Sequence, residues 1–206
     1  KYTIFDHEDR LLRSVVTPAP DLDAIVEFAV AHAIDYAVVA PDDPLVLGAV
    51  DALTAKGIPC FGPDAKAARI EGSKVFAKNL MKKYHIPTAE YQVFDSAADA
   101  MAYVETAPLP TVIKADGLAL GKGVLIAQTR DEARAAIHSL MEDRIFGASG
   151  SRIVIEEFLT GPEVSVLTFT DGHTVVPMVS SMDHKRVHDG DQGLNTGGMG
   201  TIAPNP

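Results

Sequence analysis

Two aliphatic runs, Val112-Ile113 and Val124-Leu125-Ile126-Ala127, are separated by ten residues, Lys114 to Gly123, that hold two lysines and three glycines. Aliphatic runs of this length flanking a glycine-rich link predict two strands and a turn between them, so the chain must contain a hairpin-bearing sheet here. Gly117, Gly121 and Gly123 leave backbone N–H groups open to an anion, and Lys114 and Lys122 supply opposing charge, which is what holding a polyphosphate requires. A glycine-rich hairpin that merely turns would show the same residues. The link is not a P-loop, because only three residues separate Gly117 from Gly121, and Gly123 stands where Ser or Thr should coordinate Mg²⁺. It is not a dinucleotide fingerprint either, since it runs into a strand rather than a helix.

The surroundings predict an α/β protein. Helical spacing over Asp21–Ala33 is followed by a short buried strand, Tyr36–Ala40, a helix Leu45–Lys56 with Asp43 as N-cap, and a strand Ile58–Phe61. Such a βαβ rhythm calls for a parallel sheet. Asp64–Tyr84 reads as helix divided near Gly72-Ser73, with Ser73 capping the second half. Then come strand Tyr91–Phe94, helix Ser96–Glu105, the glycine-loop strands, a helix Asp131–Met141 opened by a Thr129/Glu132 capping box, and strands at 152–158, 163–170 and 174–179. The last 25 residues, polar and glycine-rich, read as irregular.

Composition narrows the function. Lysine plus arginine number 18 against 28 acidic residues, a net charge of −10, which argues against a nucleic-acid backbone binder. No apolar stretch approaches a membrane span and no leader opens the chain, so a cytoplasmic protein is expected. The lone Cys60 sits in an apolar strand and reads as a small hydrophobe. The chain, opening at Lys1 without Met and stopping just after a glycine-rich tract, reads as a piece of something longer.

Two further clusters carry chemistry. Glu156-Glu157-Phe158-Leu159 ends a hydrophobic strand, with Glu163 following. These carboxylates suit edge charges, and equally a nucleoside lying along strand and turn: backbone groups near Glu156 and Leu159 for adenine, Glu163 for ribose hydroxyls. Asp183-His184-Lys185-Arg186, with His188, Asp189, Asp191 and then Asn195-Thr196-Gly197-Gly198-Met199-Gly200, tempts a metal reading. Calcium-loop spacing fails there, and two basic residues sit inside the would-be cage. A small polar substrate fits better, with Lys185 and Arg186 for phosphate or carboxylate, Asp183 for an amine, and Gly197-Gly198 for backbone amides; a solvated charged loop fits as well. Lys74, Lys78 and Lys82 form a stripe of the kind that usually faces solvent.

Taken together, in this order and spacing, these clusters resemble the ATP-grasp ligases, and within them the phosphoribosylamine–glycine ligase family of purine biosynthesis. The likeness runs from about Val38 to Pro204, through Val-Ala-Pro-Asp-Asp-Pro-Leu, Phe-Gly-Pro, Glu-Gly-Ser-Lys-Val-Phe-Ala-Lys, Ile-Lys-Ala-Asp-Gly-Leu-Ala-Leu-Gly-Lys-Gly-Val, Ile-Glu-Glu-Phe-Leu, Asp-His-Lys-Arg and Asn-Thr-Gly-Gly-Met-Gly. Residues 1–20 show none.

The resemblance implies an incomplete N-terminal parallel domain over 1–63 and an ATP-grasp domain over 64–206, with 87–158 carrying the glycine-rich lid and 159–206 an incomplete substrate-binding half. It implies Lys78 and Lys114 on the α- and β-phosphates as the catalytic cations, and a lid of Gly117, Gly121, Lys122, Gly123 and Val124. Glu156 and Leu159 are then expected at adenine, helped by Glu157 and Phe158, and Glu163 at ribose. Asp42, Asp183, Lys185, Arg186, Asn195 and Gly198 are expected at glycine and 5-phosphoribosylamine. ATP and Mg (or Mn) are the implied cofactors, with no metal ligand inside this chain and no nucleic-acid or membrane partner; the oligomeric state is left open, a monomer among the options. Asp42, Ala40, Met182 and Leu194 depart from the family's expected Glu, Gly, Gln and Pro, which weakens the Asp42 contact most. The family's N-terminal phosphate loop and C-terminal Mg²⁺ ligands fall outside these residues, so residues 1–206 alone are expected to bind ATP weakly and ligate negligibly. Another ATP-grasp carboxylate–amine ligase, or a nucleotide-binding fragment without turnover, are the alternatives.

Overall fold

In the computed structural model, which describes residues 2–5, 11–15, 21–119, 123–190 and 192–205, Tyr2–Phe5 (β1) and Leu11–Val15 (β2) form an antiparallel pair. Leu22–Ala31 (α1) follows, capped by the Asp21 carboxylate, which accepts from Ala24 N at 3.1 Å. Ala37–Val38 (β3) and Cys60–Phe61 (β4) pair in parallel, as the βαβ rhythm predicts. They are only two residues long, and Val38 and Phe61 stand 67% and 51% exposed, so the expected buried strand is an open one. The single helix predicted between them is two: Asp42–Leu47 (α2) and Ala49–Thr54 (α3). Gly48, at φ +94°, is left-handed, a conformation that ends a helix and that glycine adopts without Cβ strain. The cap is also not Asp43; Pro41 occupies it, and Asp42 and Asp43 lie in the first turn, where carboxylates favour the helix dipole.

Ala65–Gly72 (α4) and Lys74–Lys83 (α5) divide where the sequence indicates. Asp64 caps the first and Ser73 the second, its hydroxyl accepting from Phe76 N at 3.1 Å. Tyr91–Phe94 (β5), Ala97–Val104 (α6), Thr111–Ala115 (β6), Val124–Ala127 (β7), Arg130–Ile137 (α7) and Ile153–Glu157 (β8) complete the first unit. Thr129 caps α7, and Glu132 reaches back to Gln128 N at 2.7 Å, one residue earlier than a reciprocal capping box. The predicted last turn is a separate π-helical turn, His138–Glu142.

β5, β8, β6 and β7 form one antiparallel sheet in that order. Side chains alternate across a sheet, so Ile113, Ala115, Ile153 and Ile155 point to one face. There they meet Val104, Ala133, Ile137 and Leu140, each almost wholly buried. A smaller core of Ala29, Leu53 and Ile58 holds α1 and α3 to β3 and β4. Among the described residues, no helix is long and apolar enough to cross a membrane.

The chain divides into two units, Lys1–Phe158 and Leu159–Pro206. In the second, Thr168–Thr170 (β9) and Val175–Pro177 (β10) pair around Asp171, whose carboxylate accepts from His173 N and Thr174 N. Ser165 bridges Ser181, so the predicted strand over 163–170 shrinks to its last three residues. The tract expected to be irregular is instead a second hairpin, Met182–His188 (β11) with Gln192–Ile202 (β12). Its register shifts twice, between His184 and Arg186 and between Arg186 and His188. Such bulges break the two-residue period that would have revealed it.

Candidate functional site

The face of the four-stranded sheet opposite the core gathers charged side chains. Lys114 of β6 and Glu156 of β8 point there, because their neighbours Ile113 and Ile155 point into the core. Lys114 Nζ contacts Glu156 Oε1 directly. From the other side comes Lys78 of α5, whose Nζ lies 2.7 Å from Glu156 Oε2. One buried carboxylate therefore stands between two ammonium groups from two different elements. Lys78 also donates to Thr88 Oγ1 at 2.8 Å and to Ala89 O at 3.2 Å, and sits 5.3 Å from the centre of the Tyr91 ring. Its meeting with Oε2 is an ion pair, and that buried oxygen accepts no hydrogen bond among the described residues. The stripe read as solvent-facing is so only at Lys82: Lys78 is buried and Lys74 half-buried.

Lys74 donates to Gly117 O at 3.1 Å. Burial pulls its pKa down, against the nearby charges of Asp116 and Glu71, which raise it, while Lys114 lowers it further. Asp116 was not singled out by sequence reasoning, yet its carboxylate takes both the Ser73 hydroxyl, at 2.9 Å, and Val75 N, at 2.8 Å. A signal was available, in that Ser73 was a visible cap, but its partner lies 43 residues away.

The glycine loop is described at its two ends. Gly117 and Gly123 are placed, the latter's carbonyl accepting from Ala115 N at 2.9 Å, and Val124 pairs with Lys114. Gly121 and Lys122 lie outside the described residues. At the far end of the sheet, Glu157 and Glu90 exchange backbone and side-chain bonds, and the Glu156 carbonyl accepts from Thr111 Oγ1 at 3.1 Å. A cleft of about 290 Å³ opens there, lined by Tyr91, Pro110, Thr111, Glu157 and Phe158 among others.

In the second unit Leu159 is exposed, and Glu163 pairs with Lys185, which also lies 3.4 Å from Asp183. The hydrogen bond to Glu163 holds the Lys185 pKa above its ordinary value. Arg186 Nη1 donates to Gly193 O at 2.6 Å, Asn195 stands opposite Arg186 in the ladder, and Gly198 N donates to Thr196 Oγ1. In the first unit, Asp42 lies in the first turn of α2, exposed. Among the described residues no three His, Cys, Asp or Glu side chains gather as a metal cage.

The antiparallel sheet, with helices on one face and a lysine-flanked carboxylate on the other, lies within residues 72–206, which match an ATP-grasp domain. The solved biotin carboxylase domain of 2-oxoglutarate carboxylase from Hydrogenobacter thermophilus superposes with a TM-score of 0.67 at 17% identity, over 80% of this chain and 38% of that one, a likeness of fold alone. The chain itself belongs to the phosphoribosylglycinamide synthetase family: the family's N domain matches residues 7–71 and its ATP-grasp (A) domain residues 72–206. The N-domain match starts well ahead of Val38, inside the stretch where no motif was visible. Phosphoribosylamine–glycine ligase of Pasteurella multocida is 50% identical over 95% of this chain. The crystal structure of the Thermotoga maritima phosphoribosylamine–glycine ligase matches with a TM-score of 0.76 at 36% identity, over 88% of this chain and 44% of that one. The chain spans under half the length of these relatives, 46% of the first.

Proposed function

We propose that this chain is the ATP-binding part of a cytoplasmic phosphoribosylamine–glycine ligase, which joins glycine to 5-phosphoribosylamine at the expense of ATP and gives glycinamide ribonucleotide, ADP and phosphate. The observation that carries the reading is the convergence of Lys78 and Lys114 on the single carboxylate of Glu156. Two cations from separate elements, already drawn to one anion, form a site for the α- and β-phosphates. Family membership and the named relatives support the substrates.

Amide formation from a free carboxylate is uphill in water, so the carboxylate is first activated. A glycine carboxylate oxygen attacks the γ-phosphorus, the bond to the β-bridging oxygen breaks, and glycyl phosphate and ADP form. The phosphoribosylamine nitrogen then attacks the acyl carbon, loses a proton, and phosphate leaves. Such a reaction asks the protein chiefly for placement and charge neutralisation. Lys78 and Lys114 supply the charge, and no protein nucleophile is required. Backbone groups of Glu156 and Leu159 would take adenine, helped by Glu157 and Phe158, and Glu163 the ribose; Asp183, Lys185, Arg186, Asn195 and Gly198, with Asp42, would face the other two substrates. A divalent cation, Mg²⁺ or Mn²⁺, would screen the phosphate charge, but the described residues supply no cage for it.

ADP release by the full-length protein tests the reading. Release that requires glycine and phosphoribosylamine together is expected. Release that needs neither, or that another carboxylate and amine support equally well, would contradict it.

A further inference from the structure

The two lysines that meet Glu156 come from elements with no covalent reason to be in register, and a set of contacts just beyond the end of β6 fixes that register. The Asp116 carboxylate, just beyond β6, accepts from Ser73 Oγ and from Val75 N, while Asp116 O accepts from Lys74 N at 3.0 Å. The Lys74 ammonium closes the set on Gly117 O. Asp116 is itself held from the opposite side, its N–H donating to Arg152 O at 3.0 Å. Lys114 lies two residues before Asp116 on the strand, and Lys78 lies one helical turn after Lys74, on the same side of α5. The clamp thus joins the N-terminus of the helix that carries one cation to the end of the strand that carries the other.

We propose that Asp116 and Lys74 are positioning residues for the lysine pair, setting α5 against β6 so that both ammonium groups address one anion. The proposal rests on the reading of Lys78 and Lys114 as polyphosphate ligands. Asp116 and Lys74 themselves touch no phosphate; they act through the pair. The Lys74 ammonium donates to Gly117 O and feels the charge of Asp116, so it is engaged at the clamp.

The test is ATP affinity and steady-state kinetics of the full-length protein. Losing a hydrogen bond to a charged group is expected to weaken ATP binding by about tenfold. Asp116→Ala and Lys74→Met should each raise the KM for ATP by that order while kcat falls less. Asp116→Asn, which keeps an oxygen for Ser73 and Val75, should restore most of the affinity. The double variant Lys114→Met/Asp116→Ala should be no worse than Lys114→Met, since a positioning residue has nothing left to position. Losses that multiply in the double variant would overturn the proposal, as would Asp116→Asn failing as badly as Asp116→Ala. Unaltered affinity in Lys74→Met and Asp116→Ala, with Lys114→Met impaired, would sink the clamp and leave the phosphate reading standing. Unaltered affinity in Lys114→Met would sink the phosphate reading and the clamp with it. Should Asp116→Ala not fold, Lys74→Met, which removes one flanking bond and no cap, decides the question by the same comparison.

Discussion

Replacing Glu156 by Gln keeps the shape of the side chain and removes the one negative charge between two cations. Removing one partner of a fully buried ion pair costs about 3–5 kcal/mol. The cost here is smaller on two counts. Lys114 is 26% exposed, so water screens its loss, and Lys78 keeps Thr88 Oγ1 and Ala89 O as acceptors. About 2 kcal/mol is therefore expected, a fall in melting temperature of roughly 4–8 °C for a chain of this size. Thermal unfolding of the parent and of Glu156→Gln measures it. The comparison sharpens with ATP added at about a hundred times its dissociation constant, which stabilises a binding-competent fold by about 2.7 kcal/mol. A polyphosphate restores the missing charge, so the deficit of the variant should narrow in its presence. A variant that melts with the parent, or a deficit that ATP leaves unchanged, would refute the charge-sharing argument.

Other expectations follow from the same geometry. A Cβ at Gly150 would lie 2.2 Å from Leu140 O, a backbone atom of the π-helical turn, so Gly150→Ala should cost on the order of 1–3 kcal/mol in thermal unfolding; an unchanged melt would contradict that close approach. Lys74 has a folded pKa below the ordinary 10.5, so the unfolded chain binds more protons and stability gains as pH rises from the depressed value towards 10.5. The stability of the parent relative to Lys74→Met should therefore improve over that alkaline range, and a difference independent of pH would contradict the burial of the ammonium.

Local features were legible in the sequence because local chemistry determines them. Ser73 as a cap, the break between α4 and α5, the limits of β5 and β7 and the turn at Asp171 follow from hydroxyl placement, aliphatic runs and glycine. What the sequence could not show was mostly non-local. The pairing that sets Tyr91 and Val112 on either side of Glu156 spans 44 to 65 positions of chain, and no period reports it. For the same reason Lys78 reads as a surface residue: its acceptors, Thr88 and Ala89, follow the turn at Tyr84-His85 that ends α5. Glu156 was valued for its backbone beside adenine, whereas its side chain joins the two lysines. Gly48 was hidden differently. A single glycine inside a helical pattern is normally tolerated, and only its left-handed φ reveals that two helices meet there.

The most direct test of the account is ³¹P NMR of ATP bound to the full-length protein. The α- and β-phosphate resonances should move on binding to the parent, and that displacement should largely vanish with Lys78→Ala and with Lys114→Ala. Nucleotide that binds both variants with the parent's α and β shifts would contradict the assignment of these two lysines to the polyphosphate.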